Sequence, residues 1–262
     1  MSDLSLLFQN LSFTYDRATQ AIINNLSVHF TPGWTGIVGA NGVGKSTILK
    51  LATGDLEPIQ GRVIIPEFTI YCQQRTDNAP AQLVDLISSM DGEGFGIKGR
   101  LGVEDDWVER WTTLSHGERK RAQIAVAMWR KPQVLAVDEP TNHLDATAQD
   151  LLFDALSTFR GVGLLVSHDR KLLNGLCHQC LFVEPPEAIL RPGNYSQSLL
   201  QAEKDAMTAQ RQRTRANQDF LRLKREAAKR RDAASQVHRQ RSKQGLASKD
   251  TRMTGKYILG IQ

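Results

Sequence analysis

The sequence has few cysteines, no long apolar run and no recognisable targeting segment. Three cysteines occur among 262 residues, and an odd number cannot all pair, which favours a reducing compartment. No apolar run approaches the roughly 18 residues that span a bilayer. Met1–Leu4 also lacks the basic residues that precede the apolar core of a signal peptide. The sequence therefore predicts a cytoplasmic protein that is not inserted in a membrane.

The cysteines give little support to a metal site. Cys177 and Cys180 have the spacing of a metal-binding pair, but no second pair completes a set of four ligands. We interpret both as small buried apolar residues, and a metal or redox role is the alternative.

Glycine and proline are absent from one long segment, and charge is unevenly distributed. Ser196–Gln244 contains neither residue and is rich in the helix formers Ala, Gln, Lys, Arg and Glu. Residues 1–200 carry 17 Lys/Arg and 22 Asp/Glu, a net charge of −5, whereas residues 201–262 carry 16 and 6, a net charge of +10. We expect a mildly acidic body, residues 1–195, followed by a long basic helix or the first arm of a helical pair, residues 196–262.

Short apolar strands alternate with helical segments in the body. Val134–Val137 and Gly163–Val166 are continuous apolar runs, as expected of parallel strands buried on both faces. The other predicted strands are Leu4–Phe8, Leu26–Phe30, Gly36–Val38, Arg62–Ile65, Ile70–Cys72 and Cys180–Val183. This alternation predicts a wound α/β sheet.

The pattern changes between residues 79 and 111. A helix predicted at Gln82–Met90 is followed by the glycine-rich Asp91–Gly99 and the acidic Val103–Val108. With the helix predicted at Arg119–Trp129, this segment indicates a small helical subdomain over residues 79–130.

A glycine-rich loop follows the apolar run Thr35–Val38. Its glycines let successive backbone N–H groups turn towards phosphate oxygens, and the helix after it directs its positive dipole end to the same charge. Lys45 brings a positive charge to the outer phosphates, and Ser46 offers a hydroxyl to Mg²⁺. The predicted nucleotide-binding residues of this loop are Gly39, Ala40, Asn41, Gly42, Val43, Gly44, Lys45, Ser46 and Thr47.

Two further segments carry polar residues suited to nucleotide chemistry. The apolar strand Val134–Val137 ends in Asp138, a carboxylate for Mg²⁺, and Glu139, which can orient and polarise an attacking water. Ser115 and Gly117 precede a helix, where a hydroxyl and free N–H groups can receive phosphate. An ordinary helix cap is the alternative interpretation of Ser115.

Four motifs in this order resemble those of the nucleotide-binding domain of ABC ATPases. They are Gly39–Thr47, Leu114–Glu118, Val134–Glu139 and Ser167–Asp169, within a resemblance that covers residues 4–195. The resemblance implies a P-loop NTPase fold of ABC type that binds ATP and Mg²⁺ and hydrolyses ATP. It also implies that the Ser115–Gly117 segment of one domain closes over the γ-phosphate held by a second ABC domain.

The resemblance assigns roles to single residues. Tyr15 is similar to the aromatic that stacks on adenine, with Phe13 as the weaker candidate. Gln74 resembles the glutamine that contacts Mg²⁺ and the water, with Gln73 as the competing register. The remaining assignments are His168 as the histidine that contacts the γ-phosphate and Asp145 in the loop that crosses to the partner domain.

One position departs from the family pattern. The family's Leu-Ser-Gly-Gly-Glu is Leu-Ser-His-Gly-Glu here, with His116 at the first glycine. An imidazole would crowd a nearby phosphate, or would add a hydrogen bond if it points away. We expect slower hydrolysis or altered affinity at the site that this segment completes.

Three features resemble the ABC-F branch, whose members act on ribosomes. Asp138–Asp145 reads "DEPTNHLD". Gly193–Tyr195 and the long charged helical run after it, residues 196–262, resemble the linker that joins the two nucleotide-binding domains of ABC-F proteins, and that run is basic. Residues 201–250 carry 14 basic and 6 acidic residues, a net charge of +8, which suits RNA phosphates; a solvated helix is the alternative. The short interval between Gln74 and Ser115 leaves no room for a long inserted arm.

The resemblance implies an ATP-driven mechanism. Closure on a second ATP-binding domain, from the same full-length chain or from a dimer, would change the angle or order of the linker, and hydrolysis would release the ribosome. The alternatives are an ATP-binding subunit of a membrane transporter and a nucleotide-binding half-domain without turnover.

Overall fold

The computed structural model describes residues 5–16 and 21–254. Within these residues the chain forms nine β-strands and seven α-helices. The strands are β1 (Leu6–Phe13), β2 (Ile23–Phe30), β3 (Gly33–Val38), β4 (Gln60–Ile64), β5 (Thr69–Cys72), β6 (Val134–Asp138), β7 (Val162–Val166), β8 (Cys177–Glu184) and β9 (Glu187–Pro192). The helices are α1 (Lys45–Thr53), α2 (Leu83–Ser88), α3 (Gly92–Leu101), α4 (His116–Trp129), α5 (Ala146–Ser157), α6 (Arg170–Leu176) and α7 (Tyr195–Thr254).

The strands form two sheets. The larger has the order β5-β6-β7-β3-β8-β9, in which the first five strands are parallel and β9 pairs antiparallel with β8. The smaller is antiparallel, with the order β2-β1-β4. The carboxyl ends of parallel strands lie at one edge, so the loops after β3, β6 and β7 meet there.

Apolar cores cover both faces of the larger sheet. Alternate residues of β6 enter different cores: Leu135 packs with side chains of α4 and α5, and Ala136 packs with those of α1 and the smaller sheet. This burial on both faces explains why the β6 sequence is apolar throughout.

The structure confirms the predicted wound α/β sheet and extends it. Each predicted strand overlaps an observed one, although Leu4 lies outside the described residues. The helix predicted at Arg119 begins at His116, because Ser115 caps it. The glycine-rich Asp91–Gly99 lies largely within α3, where the Asp91 carboxylate accepts a hydrogen bond from the Gly94 N–H.

The chain divides into two compact units, Met1–Gln201 and Ala202–Gln262. Within the described residues, the first unit contains both sheets, α1 to α6 and the start of α7. The second consists of the rest of α7, whose described side chains are almost all exposed. Residues 255–262 of the predicted linker lie outside the described residues.

Candidate functional site

A cavity of about 530 Å³ opens where the loops after β3, β6 and β7 meet. The residues that line it are Tyr15, Ile22, Asn41, Gly42, Gly44, Lys45, Ser46, Thr47, Gln74, Asp138, Glu139, Asn142, Val166 and His168. Most of the residues proposed from the sequence for ATP and Mg²⁺ are therefore neighbours around one volume.

The glycine loop surrounds the Lys45 ammonium. Lys45 Nζ donates hydrogen bonds to the carbonyl oxygens of Gly39 and Ala40, at 3.1 and 3.0 Å. Gly44 has φ +104°, and a Cβ there would lie 2.1 Å from Ile22 Cγ2. The position therefore requires glycine for both its backbone angle and its close packing. Val43 contributes to the loop's packing rather than to the cavity.

The two acids at the end of β6 are buried beside this loop. Asp138 is 3% exposed and Glu139 is 6% exposed. The Glu139 N–H donates to the carbonyl of Val166 at 2.8 Å, and Glu139 has φ +45°, a left-handed value that is uncommon for a residue other than glycine. Such backbone conformations concentrate at functional sites.

His168 is in direct contact with Glu139 at the wall of the cavity. Its Nε2 lies 3.1 Å from Glu139 Oε1 and 3.1 Å from Asn41 Oδ1. Burial raises the pKa of Glu139, and the nearby His168 partly opposes that rise. The carboxylate is therefore more basic than an exposed glutamate, which suits it to accept a proton from water.

Oxygen atoms suited to Mg²⁺ meet at the same cavity. Ser46 supplies a hydroxyl, Gln74 an amide oxygen and Asp138 a carboxylate, and oxygen donors are the ligands that Mg²⁺ prefers. Tyr71 donates its hydroxyl proton to Asp138 Oδ2 at 2.9 Å. Burial and the Asp138 charge raise the pKa of Tyr71, so the phenol keeps its proton and remains a donor.

The structure distinguishes the competing candidates for two positions. Tyr15 lines the cavity and its hydroxyl lies 3.0 Å from Thr47 Oγ1, whereas Phe13 is buried and packs edge-on against the Tyr15 ring. Gln74 lines the cavity, whereas the carbonyl of Gln73 accepts a hydrogen bond from Lys120.

Three predicted residues lie away from this cavity. Ser115 and Glu118 form a reciprocal capping box at the start of α4, with Gly117 buried behind it. Asp145 caps α5, its carboxylate accepting from the Ala148 N–H at 2.7 Å. A single copy of the chain does not bring these residues to its own glycine loop.

Four further residues of the site were not among the site residues predicted from the sequence. Ile22, Tyr71, Asn142 and Val166 line the cavity or contact its acids. Only Asn142 could have been found from sequence, because it follows the strand-end acids in the same loop.

The cysteine pair and His116 occupy different surroundings. Cys177 and Cys180 are buried, and burial raises the pKa of both thiols. The rings of His116 and His143 lie 5.5 Å apart beside the capping box.

Part of the chain is similar to known proteins. Residues 23–142 match the family described as ABC transporter. A solved structure of a metal-chelate type ABC transporter in an inward-facing conformation superposes with a TM-score of 0.55 at 22% identity, covering 72% of this chain and 83% of that chain. Residues 23–142 are therefore similar to the ABC transporter family, and the superposition shows that the chain shares the mixed α/β P-loop fold of that structure.

Relatives at higher identity include a member of ATP-binding cassette sub-family F. ATP-binding cassette sub-family F member 2 of Bos taurus is 33% identical over 202 residues, 72% of this chain and 32% of the relative. Protein GCN20 of Saccharomyces cerevisiae is 32% identical over 188 residues, 65% of this chain and 24% of the relative. "Probable ATP-binding protein YheS" of Escherichia coli is 34% identical over 169 residues, 58% of this chain and 26% of the relative.

The chain spans about a quarter to a third of the length of these curated relatives. Among the described residues, no helix is both long enough and apolar enough to cross a membrane.

Proposed function

We propose that the chain binds ATP with Mg²⁺ and hydrolyses it to ADP and phosphate. The observation that carries the proposal is the single cavity shared by Lys45, Asp138, Glu139 and His168. A positive loop, a metal-binding carboxylate and a basic carboxylate around one volume are the parts that phosphoryl transfer to water requires.

Each residue has a distinct task in this mechanism. The loop N–H groups and Lys45 hold the phosphates, and Tyr15 stacks on the adenine. Ser46, Gln74 and Asp138 would hold Mg²⁺, which when bound neutralises charge on the β- and γ-phosphates. Glu139 accepts a proton from the attacking water while His168 orients the carboxylate and contacts the γ-phosphate.

The proposed site needs a second ATP-binding domain for full activity. Ser115, Gly117 and Asp145 are separate from the chain's own cavity, which supports a role towards a partner's nucleotide. That partner would be a domain of the same full-length chain or a second copy.

Two substitutions test the chemistry. Glu139→Gln should lower turnover about a hundredfold or more, because it removes the general base, while ATP affinity stays near that of the unchanged chain. Lys45→Ala should weaken ATP binding about tenfold to a hundredfold, because it removes charge-assisted hydrogen bonds. Fluorescent-nucleotide titration and phosphate release measure the two effects.

Lys50→Ala is the matched control, since Lys50 lies on the same helix but does not line the cavity. Equal ATP affinity in Lys45→Ala and the unchanged chain would contradict the proposed position of the phosphates. Phosphate release by the unchanged chain no faster than that by Glu139→Gln would indicate nucleotide binding without turnover.

Six basic residues of helix α7 share one face, and three others, Arg213, Lys224 and Arg231, lie on the opposite face. Lys204, Arg211, Arg215, Arg222, Arg225 and Lys229 recur at intervals of seven, four, seven, three and four residues. At about 100° per residue, they lie within about 40° of one line along the helix. Their side chains are exposed, so this basic stripe can contact phosphates, although Arg222 also forms an ion pair with Glu226.

We infer from the basic stripe that the partner is ribosomal RNA and that the protein is a ribosome-associated translation or ribosome-protection factor of the cytoplasm. A row of cations on a helix binds a phosphate backbone through counterion release, without reading base sequence. The net charge of +8 over residues 201–250 supports the same partner.

Sedimentation with ribosomes tests this inference. In a Glu139→Gln background, co-sedimentation should require ATP and survive moderate salt. Replacing Arg211, Arg215 and Lys229 by Gln should reduce the slope of log affinity against log salt by about two to three. The matched control replaces Arg213, Lys224 and Arg231, which carry equal charge on the opposite face of α7.

Equal losses in the two triple variants would show that net charge alone, and not the basic stripe, drives binding. Binding that ignores ATP and disappears with salt would contradict the ribosome-factor proposal and leave a basic helix that meets RNA non-specifically.

A further inference from the structure

Lys120 is a buried cation that the proposed mechanism does not use. It lies in the second turn of α4 and is 3% exposed. Its Nζ donates hydrogen bonds to the carbonyl of Gln73 and, at 3.0 Å, to Gln123 Oε1. Burial lowers the pKa of Lys120 to about 8, so the ammonium is mostly protonated at pH 7.

The hydrogen bond from Lys120 to the Gln73 carbonyl lies next to Gln74, a proposed site residue. Gln73 directly precedes Gln74, which lines the nucleotide cavity. Gln74 also lines an adjoining cavity of about 350 Å³, and Lys120 lines that cavity with it. A single ammonium therefore connects α4 to the backbone that carries Gln74.

The hydrogen bond from Lys120 to the Gln73 carbonyl combines a charged donor with a buried position. A hydrogen bond from an ammonium to a carbonyl is charge-assisted, and its strength rises in a buried, low-dielectric setting. Asp138 and Cys72 are the other titratable groups close enough to change the pKa of Lys120. The negative charge of Asp138 favours the protonated ammonium. Gln73 itself is exposed, so its backbone gains little restraint from side-chain packing.

We propose that Lys120 is a positioning residue for Gln74. By holding the Gln73 carbonyl, Lys120 determines where the Gln74 side chain enters the nucleotide cavity, and it transmits displacements of α4 to that side chain. This inference rests on the proposed function, in which Gln74 contacts Mg²⁺ and the attacking water.

Substitution of Lys120 separates positioning from nucleotide binding. Lys120→Met keeps the length of the side chain and removes its donors, so turnover should fall about tenfold to a hundredfold, the loss typical of residues that orient a metal ligand. The Mg²⁺ concentration for half-maximal turnover should rise, and ATP affinity should stay near that of the unchanged chain. Lys120→Arg retains donors and should recover most of the turnover.

The matched control is Gln123→Met, which removes the other hydrogen-bond partner of Lys120 and leaves the Gln73 carbonyl bonded. It should retain the turnover and the Mg²⁺ requirement of the unchanged chain. If Lys120→Met does not fold, as judged by its thermal unfolding curve, Lys120→Gln replaces it, because its shorter amide does not reach the Gln73 carbonyl.

A second readout does not depend on hydrolysis. The side-chain amide of Gln74 can be followed by ¹⁵N NMR and assigned from its loss in Gln74→Glu. Its resonance should shift or broaden in Lys120→Met, return in Lys120→Arg and stay unchanged in Gln123→Met.

The outcomes distinguish this inference from the proposed function. An unchanged Gln74 resonance together with unchanged turnover in Lys120→Met would overturn the positioning role, while loss of ATP binding in Lys45→Ala would still support the nucleotide site. If Lys120→Met displaces the Gln74 resonance but the unchanged chain shows no measurable hydrolysis, the positioning role would be supported and the proposed catalysis would not.

Discussion

Among single residues, Glu139 has its position fixed by burial, by its backbone angle and by its contact with His168. It is buried, adopts a left-handed backbone angle and lies within hydrogen-bonding distance of His168. Its backbone N–H bonds to Val166 on the neighbouring strand, so the strained backbone is supported by the sheet itself. The carboxylate is held in place before any ligand arrives, which lowers the cost of organising the site.

The raised pKa of Glu139 predicts how the proposed ATP hydrolysis should respond to acid. The carboxylate must be deprotonated to accept a proton, so turnover should fall as pH drops through a value above the ordinary 4.5. Because the charge of His168 lowers this pKa, His168→Gln should move the acid midpoint to higher pH, in addition to reducing turnover. Turnover measured against pH for both proteins checks the prediction, and identical midpoints would contradict it.

The Tyr71 hydroxyl predicts a change in the Mg²⁺ requirement. Tyr71→Phe removes the hydrogen bond to Asp138 and leaves the ring in place, so the half-saturating Mg²⁺ concentration should rise about tenfold. Mg²⁺ titration of ATP hydrolysis measures the effect. Tyr15→Phe is the control, because its hydroxyl contacts Thr47 instead, and an equal rise in that variant would count against the role of Tyr71.

Sequence motifs predicted the residues whose type is dictated by phosphate chemistry. Lys45, Asp138 and Glu139 could be predicted as nucleotide-site residues because a glycine loop and a strand-end acid pair are local patterns. Tyr71 and Lys120 were missed, because their contacts join segments that are far apart in sequence.

At the scale of elements, α3 shows where glycine weakens a helix. A Cβ added at Gly96 or Gly99 would meet nothing within 4 Å, whereas one at Gly94 would lie 2.7 Å from Ser89 Oγ. Gly96→Ala and Gly99→Ala should each raise the free energy of unfolding by about 0.5–1 kcal/mol, because alanine loses less backbone entropy. Denaturant unfolding measures the change, and Gly94→Ala, which should not stabilise, is the matched control.

Strands and helices could be predicted where a run of neighbouring residues gave a clear signal. The apolar runs of β6 and β7 gave clear strand signals, and the absence of Gly and Pro indicated the long α7 helix. The sequence analysis missed the short edge strand β9 and the helices α5 and α6. Capping by Asp145 and Asp169 begins those two helices, but these aspartates lie within motifs already interpreted as functional.

At the scale of the whole molecule, the separation of Ser115 from the chain's own glycine loop predicts complementation. Lys45→Ala has a defective loop and an intact Ser115, and Ser115→Ala has the reverse. If two copies form the sites, a mixture should recover up to about a quarter of the unchanged activity, since about half of the dimers are mixed and each has one intact site.

Turnover per chain should also rise with chain concentration. Phosphate release in the mixture and across a dilution series measures both effects. Turnover per chain that is independent of concentration, with no recovery on mixing, would show that two copies of this chain do not complete each other's sites.

From the sequence alone a nucleotide site could be predicted, because phosphate and Mg²⁺ require particular residue types at short spacings between a strand and a helix. The parallel sheet and the basic helix could also be predicted, because both follow from the pattern of apolar and charged residues along the chain. The folded structure was needed to show which residues surround one cavity, that Tyr15 rather than Phe13 reaches it, and that Lys120 bonds to the backbone beside Gln74. Those relations depend on packing between distant segments, and no local pattern encodes such contacts.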